Sequence, residues 1–134
     1  MKKSKIVTTV LILSGVLMII PGLMSLFAPE AFTSRNGIDI GGNLGLYNDY
    51  RGLGGILLGC GLSILLGAFR PNMAFTSTVV AAVVYSSFGL GRLVSIAMDG
   101  IPVKGMVAAT VVECLIGVLA IWLLSRYRQP IQAA

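Results

Sequence analysis

The sequence predicts an all-α membrane protein: an antiparallel bundle of four transmembrane helices with both termini in the cytoplasm. Three observations carry this. Charged residues make up 11% of the 134-residue chain and hydrophobic residues 56%, whereas a soluble domain carries about 25% charged residues. Four apolar stretches, about residues 6–27, 49–69, 73–98 and 105–124, each reach the roughly 20 residues that a helix needs to cross a bilayer. Basic residues are also unevenly distributed between the ends of these stretches. Lys2, Lys3, Lys5, Arg70, Arg126 and Arg128 fall on one side, Arg35 and Lys104 on the other, and Arg51 and Arg92 within the spans. By the positive-inside rule, the more basic side faces the cytoplasm. The expected location is a membrane, crossed several times by one domain covering residues 1–134.

The first span follows MKKSK, which has the charge of a signal-peptide n-region. Its apolar run is too long for a signal h-region and no A-x-A site follows, so it reads as a retained helix. Pro21-Gly22 predicts a kink, because proline removes a backbone donor and crowds the preceding turn. Residues 28–48 read as a long periplasmic loop with turn signals at Asn36-Gly37 and Gly41-Gly42, placed as a cap over the bundle. The link at Arg70-Pro71-Asn72 and the link DGIPVK from Asp99 to Lys104 are both short, so the second, third and fourth spans are antiparallel neighbours. Tyr47, Tyr50 and Trp122 suit interfacial belts, Arg126, Tyr127 and Arg128 suit an interfacial anchor, and Pro130 stops the last helix.

Small residues recur every four positions in three spans. Gly55, Gly59, Ser63 and Gly67 form one row. Ser87, Gly91 and Ser95, continued by Asp99, form a second. Gly105, Ala109, Glu113 and Gly117 form the third. Such rows let membrane helices approach closely, so Gly55, Gly59, Ser63, Gly67, Gly91 and Gly117 are the expected packing positions. The charges inside the spans lie on or beside these rows. At about 1.5 Å per residue, Arg92 lies roughly 10 Å below Asp99 and Glu113 roughly 12 Å below Gly105. The two therefore share a depth on neighbouring helices and are expected to pair. Asn48, Asp49, Arg51 and Asp99 lie nearer the outer surface. Together with Arg92 and Glu113 they form the candidate ligand-binding cluster, in the outer half of the bundle. Charges at depth are costly and mark either a functional site or a helix-to-helix lock; both readings stand at this point.

Several classes of function find no support. The chain has no histidine, so the usual general base and nitrogen metal ligand are missing. GLGG lacks the strand and lysine of a phosphate-binding loop. The serines have no triad partners, so no catalytic residue is assigned. Cys60 and Cys114 sit mid-span without metal spacing and read as small apolar fillers. No basic stretch is interleaved with aromatics outside the spans, which argues against nucleic acid as a partner. The net charge of +5 reflects topology.

The runs NDYRGLGGILLGCGLSILLGAFRP, FGLGRLVSIAMDGIP and VVECLIGVLAIWLL resemble a bacterial family of small four-helix membrane proteins, catalogued as domain of unknown function 4345. The resemblance covers the second to fourth spans through the NDxRG entry, the GR followed by DG, and the glutamate of the last span. It points to Asn48, Asp49, Arg51, Gly52, Arg92, Asp99, Gly100 and Glu113. The broad architecture is similar to that of DoxX-like four-helix membrane proteins, some tied to quinone or redox chemistry, which is an analogy of fold. The family's name assigns no activity, and the cofactor is unknown. Taken together, the residues suggest a membrane protein that binds a lipid-like or amphipathic small molecule, with Arg51 and Arg92 meeting an anionic or carbonyl head. The alternative is a non-enzymatic accessory subunit that packs against a larger membrane complex or a second copy of itself. Membrane lipids are partners in either case.

Overall fold

The computed structural model describes residues 4–126. The expectations for Lys2, Lys3, Tyr127, Arg128 and Pro130 lie outside them. The described chain is helical: α1 (Lys5–Phe27), a short α2 (Pro29–Ser34), α3 (Leu44–Phe69), a 3-10 turn (Pro71–Met73), α4 (Ala74–Asp99) and α5 (Lys104–Arg126). Four of these helices are long and apolar enough to cross a membrane, and no strand occurs among the described residues. Apolar residues cover the outside of the bundle, as a lipid solvent requires: Leu13, Ile56, Leu90 and Val118 are all exposed.

Two local features differ from the sequence expectation. The connection after α1 is not a continuous loop over 28–48, because Pro29 at the first turn starts the short helix α2. α3 then begins at Leu44 rather than Asp49. Asn43 sets that start, its side-chain oxygen accepting from the Leu46 amide at 3.1 Å. The extra turns place Asn48 and Asp49 inside the helix instead of at its mouth. α1 runs through Pro21 as one helix.

The spans associate as two pairs. α1 packs chiefly on α3, and α4 on α5. α3 and α4 join the pairs, while α1 and α5 barely meet. The α1–α3 seam depends on glycine. A Cβ added at Gly54 would stand 2.5 Å from the Leu26 nitrogen, and one at Gly22 would stand 2.7 Å from the Leu58 nitrogen. Gly15 and Gly61 approach each other's helices in the same way. In the α4–α5 seam the close approaches are Gly89 to Cys114 and Gly117 to Ser86. Leu11, Ile64, Ala81 and Ala120 fill the centre with no exposed surface.

Hydroxyls add cross-links within and between the pairs, where hydrocarbon packing alone has little preference. The Ser25 hydroxyl donates to the Tyr50 carbonyl at 2.6 Å and the Ser77 hydroxyl to the Ser63 carbonyl at 2.6 Å. The Tyr85 hydroxyl donates to the Ser14 carbonyl, joining α4 to α1.

Within the bundle, four of the six expected packing positions face outward and two pack. Gly55, Gly59 and Gly91 have no neighbour within 4 Å of an added Cβ and lie on the exposed surface. Ser63 is exposed too and bonds its hydroxyl back to the Gly59 carbonyl at 2.8 Å. Gly67 and Gly117 are buried and closely approached, by Ser77 and Ser86 respectively. The physical reason is rotation: a residue every four positions drifts about 40° per step around a helix of 3.6 residues per turn. The row from Gly55 to Gly67 therefore winds from the outer surface into the core.

Candidate functional site

Where the two helix pairs diverge, they leave a cavity of about 500 Å³ at the end of the bundle that carries the α1–α3 connection. That is within the range of about 300–1,000 Å³ usual for small-molecule sites. α1 supplies Leu17, Met18 and Pro21; α3 supplies Tyr50, Leu53 and Leu57; α4 supplies Tyr85, Phe88 and Arg92; α5 supplies Met106, Val112 and Glu113. The connection closes over it with Phe32, Thr33, Asn36 and Ile38. Buried Ile40 pins that connection down. The Phe32 ring also meets Tyr50 edge to face, with centroids 6.3 Å apart and planes at 65°. Pro21 has no amide hydrogen, so the Leu17 carbonyl, on the same wall, lacks its ordinary helical donor.

The wall is mostly apolar, with uncharged polar side chains at Thr33, Asn36, Tyr50 and Tyr85 and charge at one place. Arg92 Nε donates to Glu113 Oε2 at 2.7 Å, with the two side chains 33% and 16% exposed. The pairing follows from local structure. Gly100, at φ 99°, ends α4, its amide bonding back to the Ile96 carbonyl at 3.2 Å; this positive φ suits glycine. The short link then leads into α5. The Gly89–Cys114 contact draws the two backbones together one turn away from Arg92 and beside Glu113. The remaining guanidinium N–H groups make no hydrogen bond among the described residues. Arg92 and Phe88 also border a shallow groove on the outside of α4, lined by Ser87, Gly91 and Ser95.

The other expected site residues lie elsewhere, so no single polar cluster forms. Arg51 Nη1 donates to the Leu26 carbonyl at the end of α1, one of the orphan acceptors of a helix C-terminus. Asn48 and Asp49 are exposed on α3. In helical register they point away from the core face marked by Gly54, Leu57 and Gly61. Asp99 is exposed at the end of α4 and accepts from the Ser95 hydroxyl at 3.1 Å. Arg92 and Glu113 are the two of the six that line the cavity.

Sequence reasoning missed Tyr50, Tyr85, Phe32, Asn36 and Pro21 as wall residues. Tyr85 carried a signal: it is a tyrosine in the middle of a span, far from either belt, and a buried phenol needs a partner for its hydroxyl. Phe32 and Asn36 carried none, since their position depends on how the connection folds back. Both cysteines are free thiols. No group of three or more histidine, cysteine, aspartate and glutamate side chains that could hold a metal occurs among the described residues.

Comparison with known proteins gives a family without a reaction. No curated protein and no solved structure matches the chain. The family model described as Domain of unknown function (DUF4345) matches residues 6–124, which takes in all four spans and both members of the ion pair. The chain belongs to the DUF4345 family.

Proposed function

We propose that this multi-pass membrane protein holds a small lipid-like or amphipathic molecule in the cavity between its helix pairs, with Arg92 as the head-group contact and Glu113 keeping that guanidinium charged and in place. The observation that carries the reading is an apolar space of about 500 Å³ whose charged lining is one ion pair. A pair serving only as a lock needs no space beside it, since well-packed apolar residues of similar volume often stabilise as well. Arg51, Asn48, Asp49 and Asp99 are left out of the contact set, because they do not border the cavity.

The orientation is part of the proposal. Contacts run in opposite order along α1 and α3, Gly22 meeting Gly54 and Leu58 while Gly15 meets Gly61 and Leu65. This supports an antiparallel bundle. With the basic asymmetry it puts both termini in the cytoplasm of a bacterial inner membrane and the cavity in the outer half. In protein freed of its own thiols, a membrane-impermeant reagent added to intact cells should label Ser34→Cys and spare Gln132→Cys. The reverse pattern would invert the cavity.

One observation favours a second reading. Gly55 and Gly59 leave open space beside α3, and such a surface suits close approach by another membrane helix. The protein would then be an accessory subunit or a homo-oligomer. Native mass spectrometry after gentle detergent extraction separates the two. A retained small molecule lost in the Arg92→Met, Glu113→Gln double variant supports the first. A stoichiometric protein partner, with an empty cavity, supports the second.

A further inference from the structure

We infer that the cavity is built for an uncharged amphiphile whose head is a hydrogen-bond acceptor, such as an ester, amide or ketone carbonyl, and that it discriminates against anionic and cationic heads. This rests on the reading of the cavity as a ligand site. Arg92 and Glu113 are the charged residues on the lining, and they are bonded to each other. The side chains around the space therefore sum to zero charge. Among the described residues no further lysine or arginine borders it to balance an anion, and no second carboxylate to balance a cation. A charged head would bring an uncompensated charge into an apolar wall, which is strongly unfavourable.

The polar groups that remain select the kind of neutral head. The guanidinium commits Nε to Glu113 and keeps donors on its terminal nitrogens. Arg92 borders the groove outside α4 as well as the cavity and is the more exposed member, 33% against 16% for Glu113. The phenol of Tyr85 is already spent on the Ser14 carbonyl. The other polar side chains on the lining, Thr33, Asn36 and Tyr50, are uncharged, and Asn36 and Tyr50 each add a donor to those of the guanidinium, whose positive charge is already neutralised. A carbonyl accepts from such donors without adding charge.

Photolabelling in lipid nanodiscs tests this. Three probes share one alkyl chain and one diazirine position and differ in the head: a methyl ester, a sulfonate and a trimethylammonium. Peptide mass spectrometry reports labelling at Met18 and Met106 in the cavity wall, relative to Leu115 and Val118, which are exposed on α5 and report plain partition into lipid. The ester's ratio should exceed that of either charged probe by about tenfold or more. Glu113→Gln leaves the lining with a net positive charge, so in that variant the sulfonate's ratio should rise above the ester's. The wild-type comparison stands by itself if the variant does not fold. A charged probe equal to or above the ester in the wild type would overturn the head-group class while leaving the cavity a ligand site. So would a sulfonate ratio that does not move in folded Glu113→Gln. Absence of cavity labelling by all three probes would overturn the ligand reading itself, and this inference with it.

Discussion

The α1–α3 and α4–α5 seams solve the same problem with different means. α1 and α3 meet backbone to backbone through Gly15, Gly22, Gly54 and Gly61, with no ion pair between them and one cation, Arg51, on the carbonyl end of α1. α4 and α5 are drawn together by Gly89 and Gly117 over part of their length, and then by Arg92 and Glu113. In lipid, where apolar side chains gain little by leaving their solvent, both means are effective: van der Waals contact at close range, and polar groups that have nowhere else to go. The glycine seam is closed where the four glycines meet, and it gives the cavity an uncharged wall. The charged seam stands beside a cavity, and its guanidinium retains hydrogen-bonding capacity. The difference suggests that the first pair is scaffold and the second carries the chemistry.

The largest effect should come from filling the glycine seam. Gly54→Leu places side-chain atoms where the Leu26 backbone already stands, and backbone cannot step aside as a flexible side chain can. Overpacking costs about 1–3 kcal/mol, and this site belongs at the upper end. Gly59→Leu enters open space and should stay within about 0.5 kcal/mol of wild type. Thermal unfolding in detergent measures both. A stable, monodisperse Gly59→Leu that loses a protein partner would shift weight to the accessory-subunit reading.

Breaking the ion pair comes next. Arg92→Met or Glu113→Gln leaves one charge unpaired, which costs about 3–5 kcal/mol for a fully buried pair. With Arg92 still 33% exposed, about 1–3 kcal/mol is expected for each. The double variant should recover part of the sum, because the two residues act through one contact. Strict additivity in denaturation experiments would show that the pair is not coupled.

The link between the two seams is weaker and should give a smaller change. Tyr85→Phe removes the donor to the Ser14 carbonyl and keeps the ring. The expected loss is about 0.5–1.5 kcal/mol, the net worth of a hydrogen bond. A loss near that of Gly54→Leu would mean that the phenol also holds the cavity wall in place.

How much of this is legible in the sequence depends on which physical rule applies. A twenty-residue apolar run has few meanings, so the four spans are readable. The Arg92–Glu113 pair is readable because two short links and a fixed rise per residue set depth, and depth alone brings the two side chains level. Rotation around the helix axis is far harder. A membrane helix is apolar on its lipid face and its core face alike, so hydrophobic periodicity does not separate Gly54 from Gly55. The usable signal was the seven-residue interval shared by Gly15 and Gly22 in α1 and by Gly54 and Gly61 in α3. A spacing of seven drifts only about 20°, whereas the four-residue rows drift out of the seam. The position of the connection, and with it Phe32 and Asn36, depends on tertiary contacts such as the Phe32–Tyr50 ring pair.

Arg51 should give the smallest effect, and it separates scaffold from site most cleanly. Its side chain is exposed and donates to the Leu26 carbonyl, where α1 ends with unsatisfied acceptors and the negative end of its dipole. A cation there is worth about 0.3–1 kcal/mol, so Arg51→Ala should lower stability by no more than that. Because Arg51 belongs to the α1–α3 side and does not border the cavity, the ester probe should label Met18 and Met106 in Arg51→Ala as it does in the wild type. Arg92→Met should lose that labelling at comparable folding. If Arg51→Ala lost it and Arg92→Met kept it, the head-group contact would lie at Arg51, inside α3, instead of at the α4–α5 seam, and the division of labour between the two pairs would be reversed.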